Sequence, residues 1–578
     1  MRTRARWERL LLLPVALAAV VAGRVVATWM ARRSYHFDLE WMEGGVLAHA
    51  WRVLHLEPLY VAPGPDFVPM VYTPGYYYVL ALLGTITDLS HPLGRTVSAL
   101  ATLAAAAAIA ALGRRQAESL LAGLVGAGVY LGCYELSGAF YDLVRPDALA
   151  VGLLAWAVVL SAEAEARTRA VGAVLLAAAF VVKHNMAAFG LPLALGIWAW
   201  RGLRPALGWA ALAAVPALAW TVAMQVGSEG RFLAYVLQVP ASHPLQLARA
   251  WPGLPRETGH GLPVVAAAAT LLLPVFTARA VPGSSLRSLA ALSAVAGLAT
   301  VGLVAWSADV QGLFRHTPVE AATGAALAGV GGCSLLVGLV ALLRGRRPEG
   351  PWVMAAGIGL VAAVVAGLMR AHHGGFLNVH MPWHWVLSAG FALTLAELVR
   401  QRQALAGALV ATLLALGQLG LQLGAQDLDR LVPTEADEQA GQDLVSRLAG
   451  HAGPVLSPFA PWLAAQAGHR PGYHLIALWD IRHKGGPFYG EAHRVLDAIR
   501  TRHYGTVIDA RQSMGLGVRR AYEVAEDIVL PPRVLLPRTG WPRRPSVLLV
   551  RPARPEPGPT PPDAADDDTG TPPSQEQP

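Results

Sequence analysis

The segment Tyr35-His36-Phe37-Asp38-Leu39-Glu40-Trp41-Met42-Glu43-Gly44-Gly45 gathers three acids beside a long apolar run. In extended backbone, residues two apart point the same way, so Asp38 and Glu40 converge on one cation or one substrate hydroxyl. A carboxylate placed there deprotonates an attacking hydroxyl or balances charge near a phosphate. The plainer reading makes these residues solvated acids at a helix N-terminus, held by its dipole. A second cluster is Tyr141-Asp142-Leu143-Val144-Arg145-Pro146-Asp147, where Pro146 suits the first turn of a helix. A third is the Lys183-His184-Asn185 turn, and Lys183 at the end of an apolar helix is costly there unless paired or functional. A fourth runs from Arg370 through His372 and His373 to His380, with His384 beyond. His380 and His384 share a helix face and raise the question of a zinc pair, although Pro382 lies between them.

The elements that must position these residues are membrane helices. Of the 578 residues 54% are hydrophobic and 15% charged, against about 25% charged in ordinary soluble domains. That balance argues against a soluble enzyme. Apolar segments near 10–30, 95–112, 119–137, 146–162, 170–184, 186–200 and 205–226 read as spans, followed by 262–279, 288–306, 321–343, 351–370, 381–399 and 403–422. The start of the chain is read as a first span with a cytoplasmic N-terminus rather than a cleaved signal, because its apolar stretch continues to about Met30. Net charge is +8, and the only lysines are Lys183 and Lys484. The arginines fall in every second connection, which the positive-inside rule places in the cytoplasm. Arg32 and Arg33 sit against that rule. Tyr72 to Leu89 is assigned to the outer surface, because a span there would invert every later arginine cluster. Thirteen spans result. Nucleic acid is not implied, since no single face is basic. Cys133 and Cys333, far apart in apolar segments, suggest neither disulfide nor zinc.

The outer connections then hold the acids, histidines and aromatics. Beyond residue 425 the pattern changes. Runs such as Pro454-Val455-Leu456, Thr506-Val507-Ile508 and Ser546-Val547-Leu548-Leu549-Val550 alternate as strands do, with a helical pattern over Glu491 to Arg502. The expected fold is therefore an all-α polytopic membrane protein with a small C-terminal extracytoplasmic α/β domain. Its divisions are residues 1–425 for the membrane domain (31–94 forming the first outer loop), 426–550 for the outer domain, and a proline-rich acidic tail at 551–578 expected to be disordered.

Several of these pieces, in their order and spacing, resemble the membrane-embedded GT-C glycosyltransferases, specifically the branch with protein O-mannosyltransferases and the aminoarabinose transferase of lipid A. The matching pieces are Asp38-Leu39-Glu40 after the first span and Tyr72-Thr73-Pro74-Gly75-Tyr76-Tyr77, which has Thr where the first Pro is usual. Arg145-Pro146-Asp147 at a span start, Lys183, and Gly374-Gly375-Phe376-Leu377-Asn378 complete the set. The resemblance covers the chain except its tail. It implies transfer of a sugar, with inversion, from a polyprenyl-phosphate carrier to an envelope glycolipid, polysaccharide or protein at the outer face of the cytoplasmic membrane. It makes Asp38 the base, with Glu40 and Asp147 as further catalytic or acceptor-positioning acids. Arg145, Lys183, His184, Arg370 and His373 would hold the donor phosphate, and Tyr72, Tyr76 and Asn378 would position substrate. A divalent cation at Asp38 and Glu40 is left open, with no other cofactor expected.

Competing readings stand beside this one. Arg145 and Arg24 would merely snorkel to the interface. The tyrosines at 76–78 would form an interfacial belt rather than a sugar platform. A transporter or flippase for a lipid-linked or anionic substrate explains spans and outer cations equally well. Against it, the acids cluster in outer loops and no paired broken helices appear. A scaffold reading leaves Asp38, Arg145 and Lys183 without a role.

Overall fold

The computed structural model describes residues 7–280, 349–400, 404–510 and 516–552, with positions 337 and 340. Each expected span within those residues is a helix. These are Leu12–Arg33, His91–Gln116, Leu120–Gly132, Pro146–Ser161, Ala166–Val182, Gly190–Arg201, Leu203–Gly227, Pro263–Ala280, Gly350–Ala371, Met381–Arg400 and Ala404–Ala425. Among the described residues, five helices are long and apolar enough to cross a membrane. Others, such as Leu120–Gly132 and Gly190–Arg201, fall short of the roughly 20 residues a full crossing needs. The expected span at 288–306, that at 321–343 apart from positions 337 and 340, the Arg344 to Arg347 loop, Cys333 and the tail from 553 lie outside the described residues. Residues 72–89 contain the ten-residue helix Gly75–Gly84, also short of a full crossing.

Local chemistry explains where the helices begin. Ser90 and Ser119 cap His91–Gln116 and Leu120–Gly132, accepting from the backbone N–H of Leu93 at 3.4 Å and of Ala122 at 3.2 Å. Pro146 opens Pro146–Ser161, where its missing N–H costs nothing. Small residues let helices touch backbone to backbone, since a side chain at Gly113 would meet the Gly123 backbone at 2.6 Å. The outward face of Leu203–Gly227 exposes Leu207, Leu212, Val215, Leu218 and Val222, a surface suited to lipid rather than water.

Of the two arginines set against the positive-inside pattern, Arg33 is exposed and Arg32 is paired. Arg32 is fully buried and bonds Asp142 through Nε at 2.8 Å and Nη2 at 2.5 Å. A guanidinium neutralised in this way carries no free positive charge.

The C-terminal residues carry a four-stranded sheet in the order β1-β2-β4-β3, with β1 Val455–Leu456, β2 Thr506–Asp509, β3 Glu523–Asp527 and β4 Val547–Val550. Strand β1 runs parallel to β2, and the remaining pairs are antiparallel. The sequence pattern predicts three of the four. Strand β3 escapes it because every residue is exposed and three are acidic, the charge that blunts a sheet edge. The expected helix at 491–502 is Tyr489–Arg500.

Candidate functional site

The acidic loop folds around Glu43 at the start of the helix Glu43–Leu54. Its fully buried carboxylate accepts from the backbone N–H of Leu39 at 2.6 Å, Glu40 at 3.3 Å and Val144 at 2.9 Å. It also accepts from Arg95 through Nε at 3.1 Å and Nη2 at 2.7 Å. Arg95 ties down the loop further through the carbonyls of Tyr35 and Phe37. Burial alone would raise the Glu43 carboxyl, but Arg95 and the N–H groups prevail and hold it down at about 2. Glu43 and Arg95 thus join the 31–94 segment to the 138–147 connection. The sequence reading named Glu43 only among the loop acids and did not single out Arg95.

Asp38 and Glu40 do not face one partner. Asp38 Oδ1 lies 2.7 Å from His91 Nε2, while its Oδ2 is buried with no hydrogen-bond partner among the described residues. Burial pushes the Asp38 carboxyl above the usual carboxylate range, with His91 opposing the rise. Glu40 turns the other way, its Oε2 3.7 Å from Arg145 Nη1. Burial raises the Glu40 carboxyl to about 8, with Arg145 opposing the rise. Neither acid is solvated at a helix end, because the Asp38 side chain is 9% exposed and that of Glu40 2%.

Arg145 does not snorkel. It is buried between Glu40 and Asp147, whose Oδ2 lies 3.8 Å from Arg145 Nε. Its hydrogen bonds are poor ones for a guanidinium. Nη2 donates to the Tyr72 hydroxyl at 3.0 Å, Nη1 to the Met42 sulfur at 2.9 Å, and Nε has no partner among the described residues. Asp147 Oδ1 accepts from Lys183 Nζ at 2.5 Å and Asn378 Nδ2 at 2.9 Å. Tyr72, Arg145, Asp147, Lys183 and Asn378, separate candidates in the sequence, therefore form one buried cluster. His184 stands next to it in the chain with a buried Nδ1 that has no partner among the described residues.

Other expected residues lie elsewhere. Arg370 pairs with Glu257 at 3.0 Å and donates to the Gly375 carbonyl at 2.9 Å. His373 sits in a separate group with His243, His372 and His483, where His243 Nδ1 lies 3.1 Å from His372 Nε2. Tyr76 turns into the core, bonding the Gly94 carbonyl at 3.0 Å and Ser98 at 2.9 Å, away from the Arg145 cluster's hydrogen bonds. Tyr77 is buried as well, which removes the interfacial-belt reading for both. His380 and His384 take different partners, Glu257 at 3.3 Å and Ser137 at 2.8 Å, and form no zinc pair. Arg24 donates to the Leu423 carbonyl at 3.2 Å rather than reaching a headgroup.

The expectation of a cation at Asp38 and Glu40 fails on this geometry. Among the described residues, the grouping with metal-like spacing is Asp38, Glu43 and His91, their ligand atoms within 4.8 Å of one another. Glu43 is already engaged by a guanidinium and three backbone donors, so an added cation would meet Arg95. The donor set does not fit a metal.

The C-terminal residues close over the loop. Arg538 and Thr539 donate backbone N–H groups to the Leu39 carbonyl at 2.7 and 3.2 Å, and Glu40 forms an isolated bridge with Thr539. The next residue, Gly540, has φ +75°, and a Cβ there would lie 2.8 Å from Glu40 Oε1, so glycine is required twice over. Trp41, Trp479 and Trp541 pack at this seam, with centroids 5.3 Å apart for Trp41 and Trp541 and 5.0 Å for Trp479 and Trp541. Asp480, raised by burial to about 7, lies near enough for its charge to act on Tyr72. No sequence signal marked Asp480 or His91, since both acquire their surroundings only through this closure.

No family model matches the chain, and no curated protein does. Among solved structures the chain is similar to ArnT from Cupriavidus metallidurans bound to undecaprenyl phosphate, with a TM-score of 0.44 and 14% identity over 94% of this chain and 98% of that one. Its similarity to the apo state of the same protein has a TM-score of 0.44 and 13% identity over 93% and 97%.

Proposed function

We propose that this protein is an integral membrane glycosyltransferase that moves a sugar from a polyprenyl-phosphate carrier to an envelope acceptor at the outer face of the cytoplasmic membrane. The proposal includes the thirteen-span arrangement, with the N-terminus inside and residues 426–550 outside. The observation that carries it is Arg145, a buried guanidinium whose hydrogen-bond acceptors are a phenol and a thioether. Its nearby carboxylates lie at 3.7 and 3.8 Å, beyond hydrogen-bond distance. An anion with several oxygens is what such a group lacks, and a lipid phosphate supplies one. Lys183, held by Asp147, whose carboxylate also accepts from Asn378, adds a second cation.

In this reading Asp38 accepts the proton of an acceptor hydroxyl, helped by the raised basicity that burial confers. The oxygen attacks the anomeric carbon as the bond to the carrier phosphate breaks, giving inversion. The departing phosphate keeps the electron pair, and Arg145 with Lys183 balances its charge. Asp147 positions Lys183 rather than reacting.

The test is mass spectrometry of envelope glycans and polyprenyl-phosphate sugars in cells lacking the protein, with complementation by native and Asp38→Asn forms. Accumulation of one carrier-linked sugar and loss of one glycan are expected. Asp38→Asn should restore neither, because loss of a general base costs about 10² to 10⁴ in rate. Near-normal complementation by Asp38→Asn would remove it as the base.

A further inference from the structure

Four histidines from three distant segments meet at one seam. His243 follows the helix Val239–Ala241, His372 and His373 follow Gly350–Ala371, and His483 lies just past the helix Leu475–Ile481. The His243 ring stands 4.9 Å, centroid to centroid, from those of both His372 and His483, and the His373 ring lies 5.8 Å from that of His483. Backbone contacts run beside them, since Gln246 donates to the Ala371 carbonyl at 2.6 Å and Leu245 forms an isolated bridge with His372.

The hydrogen bonds fix where the protons sit. His243 Nε2 donates to the Asp480 carbonyl at 2.7 Å, so in the neutral ring Nδ1 is an acceptor. It stands 3.1 Å from His372 Nε2, which must therefore donate. His372 Nδ1 in turn accepts from the Gly374 N–H at 3.3 Å. The chain closes only with both rings neutral. A proton added at His243 Nδ1 would point at the His372 Nε2–H, and one added at His372 Nδ1 would point at the Gly374 N–H. His373 and His483, whose side chains make no hydrogen bond among the described residues, would repel the first pair once charged. The charged groups around the cluster do little to offset this. Arg249 donates to the His373 carbonyl at 3.4 Å, and Arg370 is paired with Glu257, which also meets His380. Arg482 and Lys484 flank His483 in the chain, and Asp480 meets His243 through its carbonyl. Burial, then the His243 ring, holds His372 down at about 4, and burial lowers His243, His373 and His483 as well.

We propose that these four histidines form an acid-sensitive latch, which holds the helix Leu475–Ile481 and His483 onto the 239–246 and 371–375 segments and releases them in a medium below about pH 6. The latch goes beyond the glycosyltransferase reading and does not rest on it. Neutral rings close the seam, and charged rings open it. The helix it holds carries Trp479, packed on Trp41 and Trp541, and Asp480, whose charge acts on Tyr72, the hydroxyl partner of Arg145. Opening therefore loosens the C-terminal wall beside Arg145. Closed-state values lie below the ordinary 6.5, so closure is complete above about 6.5 and is lost as pH falls toward 4. His372 alone, at about 4 when closed and 6.5 when free, raises the open population about thirtyfold between about pH 7.5 and about pH 5. These rings are partly exposed and their charges partly screened, so about tenfold is the change expected.

The experiment is hydrogen–deuterium exchange on the full-length protein in detergent at about pH 7.5 and about pH 5, with rates corrected for the intrinsic effect of pH. Peptides covering 240–250, 371–378 and 475–486 should lose about tenfold in protection at the lower pH. Peptides from Met381–Arg400 and from β2 should keep theirs, which separates local opening from acid unfolding. His372→Gln with His483→Gln removes two of the four charges and keeps an N–H donor toward His243, so it should retain most of its protection at about pH 5. Should that variant misfold, His373→Gln removes a partly exposed ring that makes no hydrogen bond and should lower the pH at which half the protection is lost. Native protection unchanged at about pH 5, an equal loss in the folded variants, or a loss shared by Met381–Arg400 and β2 would overturn the latch.

Discussion

Replacing Glu43 with Gln keeps the shape of the side chain and removes one of two acceptor oxygens and the charge. The remaining amide oxygen can serve the Leu39 and Glu40 N–H groups and Arg95 Nη2. The amide nitrogen must then face the Val144 N–H and Arg95 Nε, which stand 2.9 and 3.1 Å from the native oxygen. Two buried donors lose their acceptor, at about 1–3 kcal/mol each, and Arg95 is left as a buried charge without its counter-ion. Breaking a buried pair from one side costs about 3–5 kcal/mol. These overlap, so the expected loss is about 3–5 kcal/mol in all, with the carbonyls around Arg95 setting the lower end. Unfolding of purified protein, followed by tryptophan fluorescence, measures it. The pairing also predicts non-additivity. Arg95→Met with Glu43→Gln should be less destabilised than the two single losses summed, since the double variant leaves no orphaned charge. A Glu43→Gln protein as stable as the native one, or strict additivity, would refute the claim that this pair holds the loop together.

Lys183→Met should weaken undecaprenyl phosphate binding roughly ten- to hundredfold. It should also destabilise the fold by exposing the charge of Asp147; adding Asp147→Asn should recover stability but not binding, and recovery of both would make the pair purely structural. Glu40 gives a pH prediction. Its folded-state value is raised to about 8, so the stability it contributes is full below the unfolded value near 4.5 and is lost as pH rises through about 8. Glu40→Gln should flatten the stability profile between those limits, and an unchanged slope would show that Glu40 is ionised throughout. For topology, single cysteines replacing Ser446 and Gln116, both exposed, are placed in a Cys133→Ala, Cys333→Ala background. An impermeant thiol reagent outside the cell should label only the first, and the reverse pattern would invert the span scheme.

Length and spacing of apolar runs determined the helices, because a run of apolar residues about twenty long has few alternatives to a helix where no water can satisfy its backbone. Alternating runs likewise marked β1, β2 and β4, whose residues are mostly buried. Strand β3 was illegible, since its residues carry no apolar signal and take their place through backbone pairing with β4. The sequence also marked most members of the site, among them Asp38, Glu40, Tyr72, Arg145, Asp147, Lys183 and Asn378. It did not determine which of them meet. Two-residue spacing predicted that Asp38 and Glu40 converge, yet the loop between them is held by Glu43, Arg95 and Thr539, and the two acids face His91 and Arg145 respectively. Arg32 finds Asp142, and Asp147 finds Lys183 and Asn378, across separations that no local periodicity encodes. Burial then decides the chemistry. The same carboxyl group is held near 2 at Glu43, where donors surround it, and pushed to about 8 at Glu40, where they do not. Ionisation depends on the dielectric and the charges that the folded chain brings within a few ångströms, and those belong to tertiary structure alone.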